Sequence, residues 1–148
     1  MSRAVRRGFR RERFTEVLDA SGMSRGDIAR LAEMSPDTIN SWIRRGVDPD
    51  IERLSRIAKV LAVDMSEFVH VPDEECLASD LRIRAGLTQV QLAAAAGLST
   101  TVISGFERAE TRWNDRKAEA IAKVLGVSVE QLRQAWQRSR TRPPGQPA

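Results

Sequence analysis

The residue types that most often carry out reactions are scarce in this chain, which has one cysteine, Cys76, and one histidine, His70, among 148 residues. One of each cannot assemble a zinc site or a Cys/His nucleophile with its orienting partner, and a single thiol excludes an intramolecular disulfide. No reaction, metal or cofactor is therefore expected. A different chemistry is offered by the stretch SPDTINSWIRRG at residues 35–46. Ile39 and Trp42 stand one helical turn apart as an apolar stripe, leaving Asp37, Thr38, Asn40, Ser41, Arg44 and Arg45 as a face of hydrogen-bond donors and acceptors. Such a face either meets water or reads a polar partner.

The elements that must hold this face are marked in the sequence. Ser35 suits an N-cap, Pro36 the first helical position and Gly46 the C-terminal closure. Sliding the chain by 64 residues reveals a second copy without a gap. FTEVLDASGMSRGDIARLAEMSPDTINSWIRRG aligns with ASDLRIRAGLTQVQLAAAAGLSTTVISGFERAE, and IAKVLAVDMSEF with IAKVLGVSVEQL. Gly22/Gly86, Ala29/Ala93, Ala32/Ala96, Ser35/Ser99, Ile39/Ile103 and Arg44/Arg108 are identical, as are the IAKVL blocks. Two modules of about 60 residues result, near the lower limit for independent folding on one core. Each is expected to hold five helices. Ser24 with Asp27, Thr88 with Gln91, Asp64 with Glu67 and Ser128 with Gln131 have the spacing of reciprocal N-terminal caps. Strand signals are absent, so the expected class is all-α.

Within residues 89–106, Leu92, Ala93, Ala96, Leu98, Ile103 and Phe106 are apolar or small, and Gly97 stands between two helical stretches. Close crossing of two helices at a tight turn needs this arrangement, with Ala at the contact and Gly able to adopt a left-handed backbone. The first copy matches with Ile28, Ala29, Ala32, Met34, Ile39 and Trp42 but carries Glu33 at the turn. A positive φ at Glu33 would cost roughly 1 kcal/mol.

Composition limits the rest. At 41% hydrophobic the chain can pack a core, no apolar run approaches the roughly 18 residues of a membrane span, and no hydrophobic signal segment follows the Arg-rich start. A cytoplasmic location is expected. The net charge of +4 is unevenly spread: +5 over residues 1–13, −6 over 14–76, +2 over 77–136 and +3 beyond. Basic ends flanking the body point to a polyanion partner.

The string LRIRAGLTQVQLAAAAGLSTTVISGFERAE with IAKVLGVSVEQL resembles the lambda-repressor-like (Cro and phage-repressor, XRE type) helix-turn-helix family, and SPDTINSWIRRG fits it too. The resemblance implies two tandem five-helix domains, each with a recognition helix for the major groove of double-stranded DNA. Expected boundaries are a basic N-terminal arm at 1–13, a first domain at 14–70, a linker at 71–76, a second domain at 77–137 and a disordered basic tail at 138–148. Carried over by position, Thr100, Thr101 and Ser104 face bases, while Thr88, Gln89, Arg108 and Arg112 face phosphates. In the first copy the candidates are Arg25, Pro36, Asp37, Thr38, Asn40, Ser41, Arg44 and Arg45. Asn can bond adenine, Thr can contact a thymine methyl and Asp can accept from cytosine. Arg3, Arg6, Arg7, Arg10 and Arg11 form an arm able to follow phosphates or enter a minor groove.

The resemblance also implies a structural ion pair between Arg82 and Glu107, whose counterparts Leu18 and Ile43 are both apolar and expected to touch. Trp42 is expected in the core, Trp113 in a loop against the DNA backbone, and Trp136 between modules or across a dimer. After the recognition helices the loops diverge, with Asp48, Asp50 and Glu52 in one and Arg112, Arg116 and Lys117 in the other. A transcriptional repressor acting on an asymmetric bipartite site is the leading expectation. The competing one is an antitoxin- or anti-sigma-like regulator whose acidic first module binds a protein. A homodimer through the last helix stays open; no membrane or small-molecule partner is expected.

Overall fold

A computed structural model describes residues 4–148, which divide into two compact units, one ending at His70 and one running from Val71 to Ala148. Among the described residues every named element is helical, and backbone pairing outside helices is confined to isolated bridges. No helix there is long and apolar enough to cross a membrane.

The first unit holds α1 (Arg11–Ala20), α2 (Arg25–Leu31), α3 (Pro36–Arg44) and α4 (Ile51–Val60). Ser24, Ser35 and Asp50 open α2, α3 and α4, each accepting a backbone N–H of the first turn on its side chain. These bonds satisfy donors that a helix leaves orphaned at its start. The α2–α3 turn closes with the Met34 amide on the Ala29 carbonyl at 2.9 Å. Glu33 holds φ 58° there. Phe14 centres the core, its ring centroid 5.0 Å from Phe68 and 6.0 Å from Trp42, with Leu18, Ile28, Ile39 and Leu54 buried around it.

The expected fifth helix of this unit is a single 3-10 turn, Met65–Glu67. The reason lies in residues 4–10. Val5 is fully buried and donates its amide to the Pro49 carbonyl at 2.7 Å, while the Arg10 amide bonds the Phe68 carbonyl at 2.7 Å. Ala4 bridges Asp50 and Phe9 bridges Val69. Backbone that a fifth helix would bond internally is pairing with the start of the chain instead. The described part of the expected arm is thus folded into the unit; Arg3 lies outside the described residues.

The second unit holds a 3-10 turn, Asp73–Glu75, then α5 (Ala78–Arg84), α6 (Gln89–Ala96), α7 (Thr100–Glu107), α8 (Asp115–Leu125) and α9 (Val129–Thr141). Thr88 and Gln91 cap each other's backbone groups at the start of α6, and Gly97 takes φ 68° in the turn to α7. The Leu98 amide closes that turn on the Ala93 carbonyl at 2.9 Å, as in the first unit. Both ends of this unit depart from expectation. Val71 and Cys76 are buried in its core, so residues 71–76, which are too short for a free tether, pack with the second unit beyond the expected boundary at 77. Burial pushes the Cys76 thiol above its ordinary pKa against the opposing pull of Arg84, leaving a packed, weakly nucleophilic group. The expected tail begins inside α9: Ser139 is fully buried and accepts the Ala78 amide at 3.1 Å. Trp136 is also in this core, edge-on to Trp113 at 5.5 Å, and Trp113 lies 5.8 Å from Phe106. These contacts turn Trp113 and Trp136 inward, away from the backbone and dimer roles expected of them.

Candidate nucleic-acid interface

In the second unit α6 and α7 pack through Leu92, Ala93 and Ile103, which leaves the other side of α7 outward. Ser99 caps α7 by accepting the Val102 amide at 3.1 Å. Thr101 is exposed, Thr100 and Ser104 are half-buried, and Arg108 is exposed at the helix end. Arg108 donates to the Ser104 hydroxyl one turn back and pairs with Glu110 at 2.9 Å. Arg112 is exposed in the following loop.

Behind α7 lies a buried network. Arg82 donates from Nε to Glu107 Oε2 at 2.7 Å and from Nη2 to Oε1 at 3.1 Å, with side chains 9% and 5% exposed. Gln89 adds its Nε2 to Oε1 at 2.9 Å, and Arg82 Nη1 bonds the Leu87 carbonyl at 2.8 Å. A buried pair survives only when its charges are fully met by donors and acceptors, and here three N–H groups converge on one carboxylate. The first turn of α6 is thereby tied to the last residue of α7. Thr88 is 7% exposed with its hydroxyl accepting the Gln91 amide. It is a cap in place of the expected phosphate contact.

In the first unit the corresponding α2–α3 link is Arg25, whose Nη1 reaches Asn40 Oδ1 at 3.5 Å and whose Nη2 lies 3.7 Å from Asp19. Leu18 and Ile43, which answer to the ion pair at the 64-residue offset, are buried and half-buried. Pro36, Asp37, Arg44 and Arg45 are exposed, and Thr38 and Asn40 half-buried. Ser41 departs from its expected base-reading role. It is 8% exposed and donates its hydroxyl to the Thr38 carbonyl at 2.6 Å, a return to its own backbone that leaves it facing inward.

The helix-turn-helix family pattern matches residues 16–68 and again 79–132. The chain belongs to the lambda-repressor-like helix-turn-helix family. It is therefore a DNA-binding helix-turn-helix regulator. No curated protein matches the chain.

A helix-turn-helix protein presents base-reading groups from the N-terminal part of its second helix and phosphate-binding groups around it. In this family member Thr100, Thr101 and Ser104 lie together on α7, and Asp37, Thr38 and Asn40 on α3. Arg44 and Arg45 at the end of α3, and Arg108 and Arg112 after α7, are outward cations within reach of a polyanion. The arginines of the basic start are not all turned outward. Arg6 is exposed and Arg7 half-buried, but Arg10 Nη1 donates to the Ser66 carbonyl at 3.4 Å. Arg11 Nε donates to the Trp42 carbonyl at 2.6 Å. Arg11 is thus directed at its own unit. Sequence reasoning missed Arg142, whose Nη1 donates to the Arg108 carbonyl at 2.8 Å. It lies outside the repeat, so no alignment of the two copies could single it out.

Proposed function

We propose that this helix-turn-helix protein is a transcriptional repressor of phage-repressor type that binds an asymmetric bipartite site in double-stranded DNA. The observation that carries this reading is the difference between its two recognition helices. α7 offers two threonines and a serine, suited to methyl and hydroxyl contacts, while α3 offers Asp37, Thr38 and Asn40, suited to cytosine and adenine edges. Two unlike helices on one chain favour two unlike half-sites. Phosphate affinity comes mainly from the second unit, whose α7–α8 loop is basic where the α3–α4 loop is acidic. Selection of duplexes from a random pool tests the reading. Enrichment of two different sequence blocks at a fixed spacing is expected, and equal retention of a perfect palindrome would overturn it.

A second reading is favoured by Asp48 beside Val47, which is 46% exposed on the acidic α3–α4 loop. There the first unit binds a basic protein, as an antitoxin or anti-sigma-like regulator would, and only the second reads DNA. Enrichment of a single block, lost with Thr100, Thr101 and Ser104 but indifferent to Asp37 and Asn40, would favour it.

A further inference from the structure

Each basic extension sends one arginine to the end of a recognition helix. In the first unit Arg11, which precedes the repeat, bonds the carbonyl of Trp42 in the last turn of α3. In the second, Arg142, which lies beyond the repeat, bonds the carbonyl of Arg108, the C-cap of α7, and with the same Nη1 the carbonyl of Ser139 at 2.6 Å. The last carbonyls of a helix lack partners within it, and the negative end of its dipole collects there. A guanidinium is the complement of both. At the 64-residue offset Arg11 answers to Glu75, while the position answering to Arg142 is Ala78, already past the first unit, so neither arginine has a counterpart in the other copy. The two units satisfy the same helix end from opposite termini of the chain.

Both arginines are held in place. Arg11 opens α1 and lies over the Phe9 ring at 5.4 Å. Arg142 closes α9, whose buried Ser139 accepts the Ala78 amide and whose Arg138 donates to the carbonyls of Asp73 and Cys76 at 3.0 and 3.1 Å.

We propose that Arg11 and Arg142 are positioning residues that fix the recognition helices from their C-terminal ends, so that the basic extensions serve DNA recognition from within the protein. This rests on the DNA-binding reading above. Without Arg142 the last turn of α7 frays, and Ser104 and Arg108, which bond each other across that turn, lose their common register. Without Arg11 the last turn of α3 loosens likewise, and Asn40, one turn back on that helix, loses its register.

The experiment compares the full chain with R11Q, R11K, R142Q and R142K. Binding is measured to the duplex recovered by selection and to a scrambled duplex over a range of salt, with amide hydrogen exchange on the free proteins. R142Q is expected to bind the selected duplex about fivefold more weakly, the worth of one charge at a helix end. Scrambled-duplex affinity and the salt slope stay unchanged, exchange quickens only around residues 106–110, and R142K falls between. R11Q does the same around residues 42–46. A slope reduced by about one, with equal loss on both duplexes, would make these arginines phosphate contacts and overturn the proposal. Unchanged selectivity together with unchanged exchange would overturn it too. Should a glutamine variant fail to fold, the lysine variant is read against the natural chain by the same two measurements. Should the natural chain prefer no duplex, the DNA reading fails, while exchange at the helix ends still decides whether the arginines hold them.

Discussion

Glu33 and Gly97 occupy the same place in their turns and nearly the same backbone, φ 58° against φ 68°. A side chain in that region costs roughly 1–2 kcal/mol, part of which a glycine returns through the greater freedom it gives the unfolded chain. Glu33→Gly is expected to stabilise the first unit by about 0.5–1 kcal/mol, read as a raised urea midpoint at constant slope. An unmoved midpoint would count against strain at this turn. Glu107 is the opposite case. Glu107→Ala leaves Arg82 buried without its partner and strips Gln89 of its acceptor, so a loss of about 3–5 kcal/mol is expected. Glu110→Ala, removing an exposed pair with Arg108, should change stability by less than about 1 kcal/mol in the same urea titration. Glu33 was legible from aligning the two copies, and Arg82 with Glu107 from the resemblance to the family. Ser41 and Thr88 were not, because a hydroxyl that returns to the backbone reads in sequence like one offered to a partner.

At the scale of elements, cap residues placed the helices well: Ser24, Thr88 and Ser128 accept the N–H their spacing predicts, and Ser35 accepts one in the first turn of α3. What spacing could not show is competition for backbone bonds. The segment after α4 carries the same Asp-x-x-Glu signal as a helix start, yet ends as a 3-10 turn because Gly8, Phe9 and Arg10 pair with Phe68, Val69 and His70 just beyond it. Long-range pairing of that kind leaves no local period to read. The faces of α3 and α7 carry the prediction of this scale. Replacing Thr100 and Thr101 by alanine should relax preference at adjacent base positions of one half-site at about 1–3 kcal/mol per lost contact, while Asn40→Ala relaxes the other half-site. Sequencing of duplexes selected by each variant reads the difference. Uniform weakening at all positions would make these side chains phosphate contacts or supports instead.

The whole molecule differs most from its repeat at the borders of the second unit. The repeat ends where the copies stop resembling each other, but the core does not. Val71 and Cys76 are buried ahead of α5, and Ser139 and Arg142 bond the start of α5 and the end of α7 from beyond the last matched position. Internal alignment is blind to such residues because they exist in one copy only. A fragment spanning residues 71–148 should therefore outlast one spanning 77–137, the limits that the repeat suggests. Losing a buried valine and cysteine removes about 2 kcal/mol or more of apolar burial. Cutting α9 before Ser139 also leaves the Ala78 amide without its acceptor. Together these should lower the melting temperature by about 10 °C or more in a domain of this size, measured by circular dichroism of the two fragments side by side. Melting curves that coincide would mean that the flanking residues decorate a core complete without them, and that Arg142 has no firm base from which to hold α7.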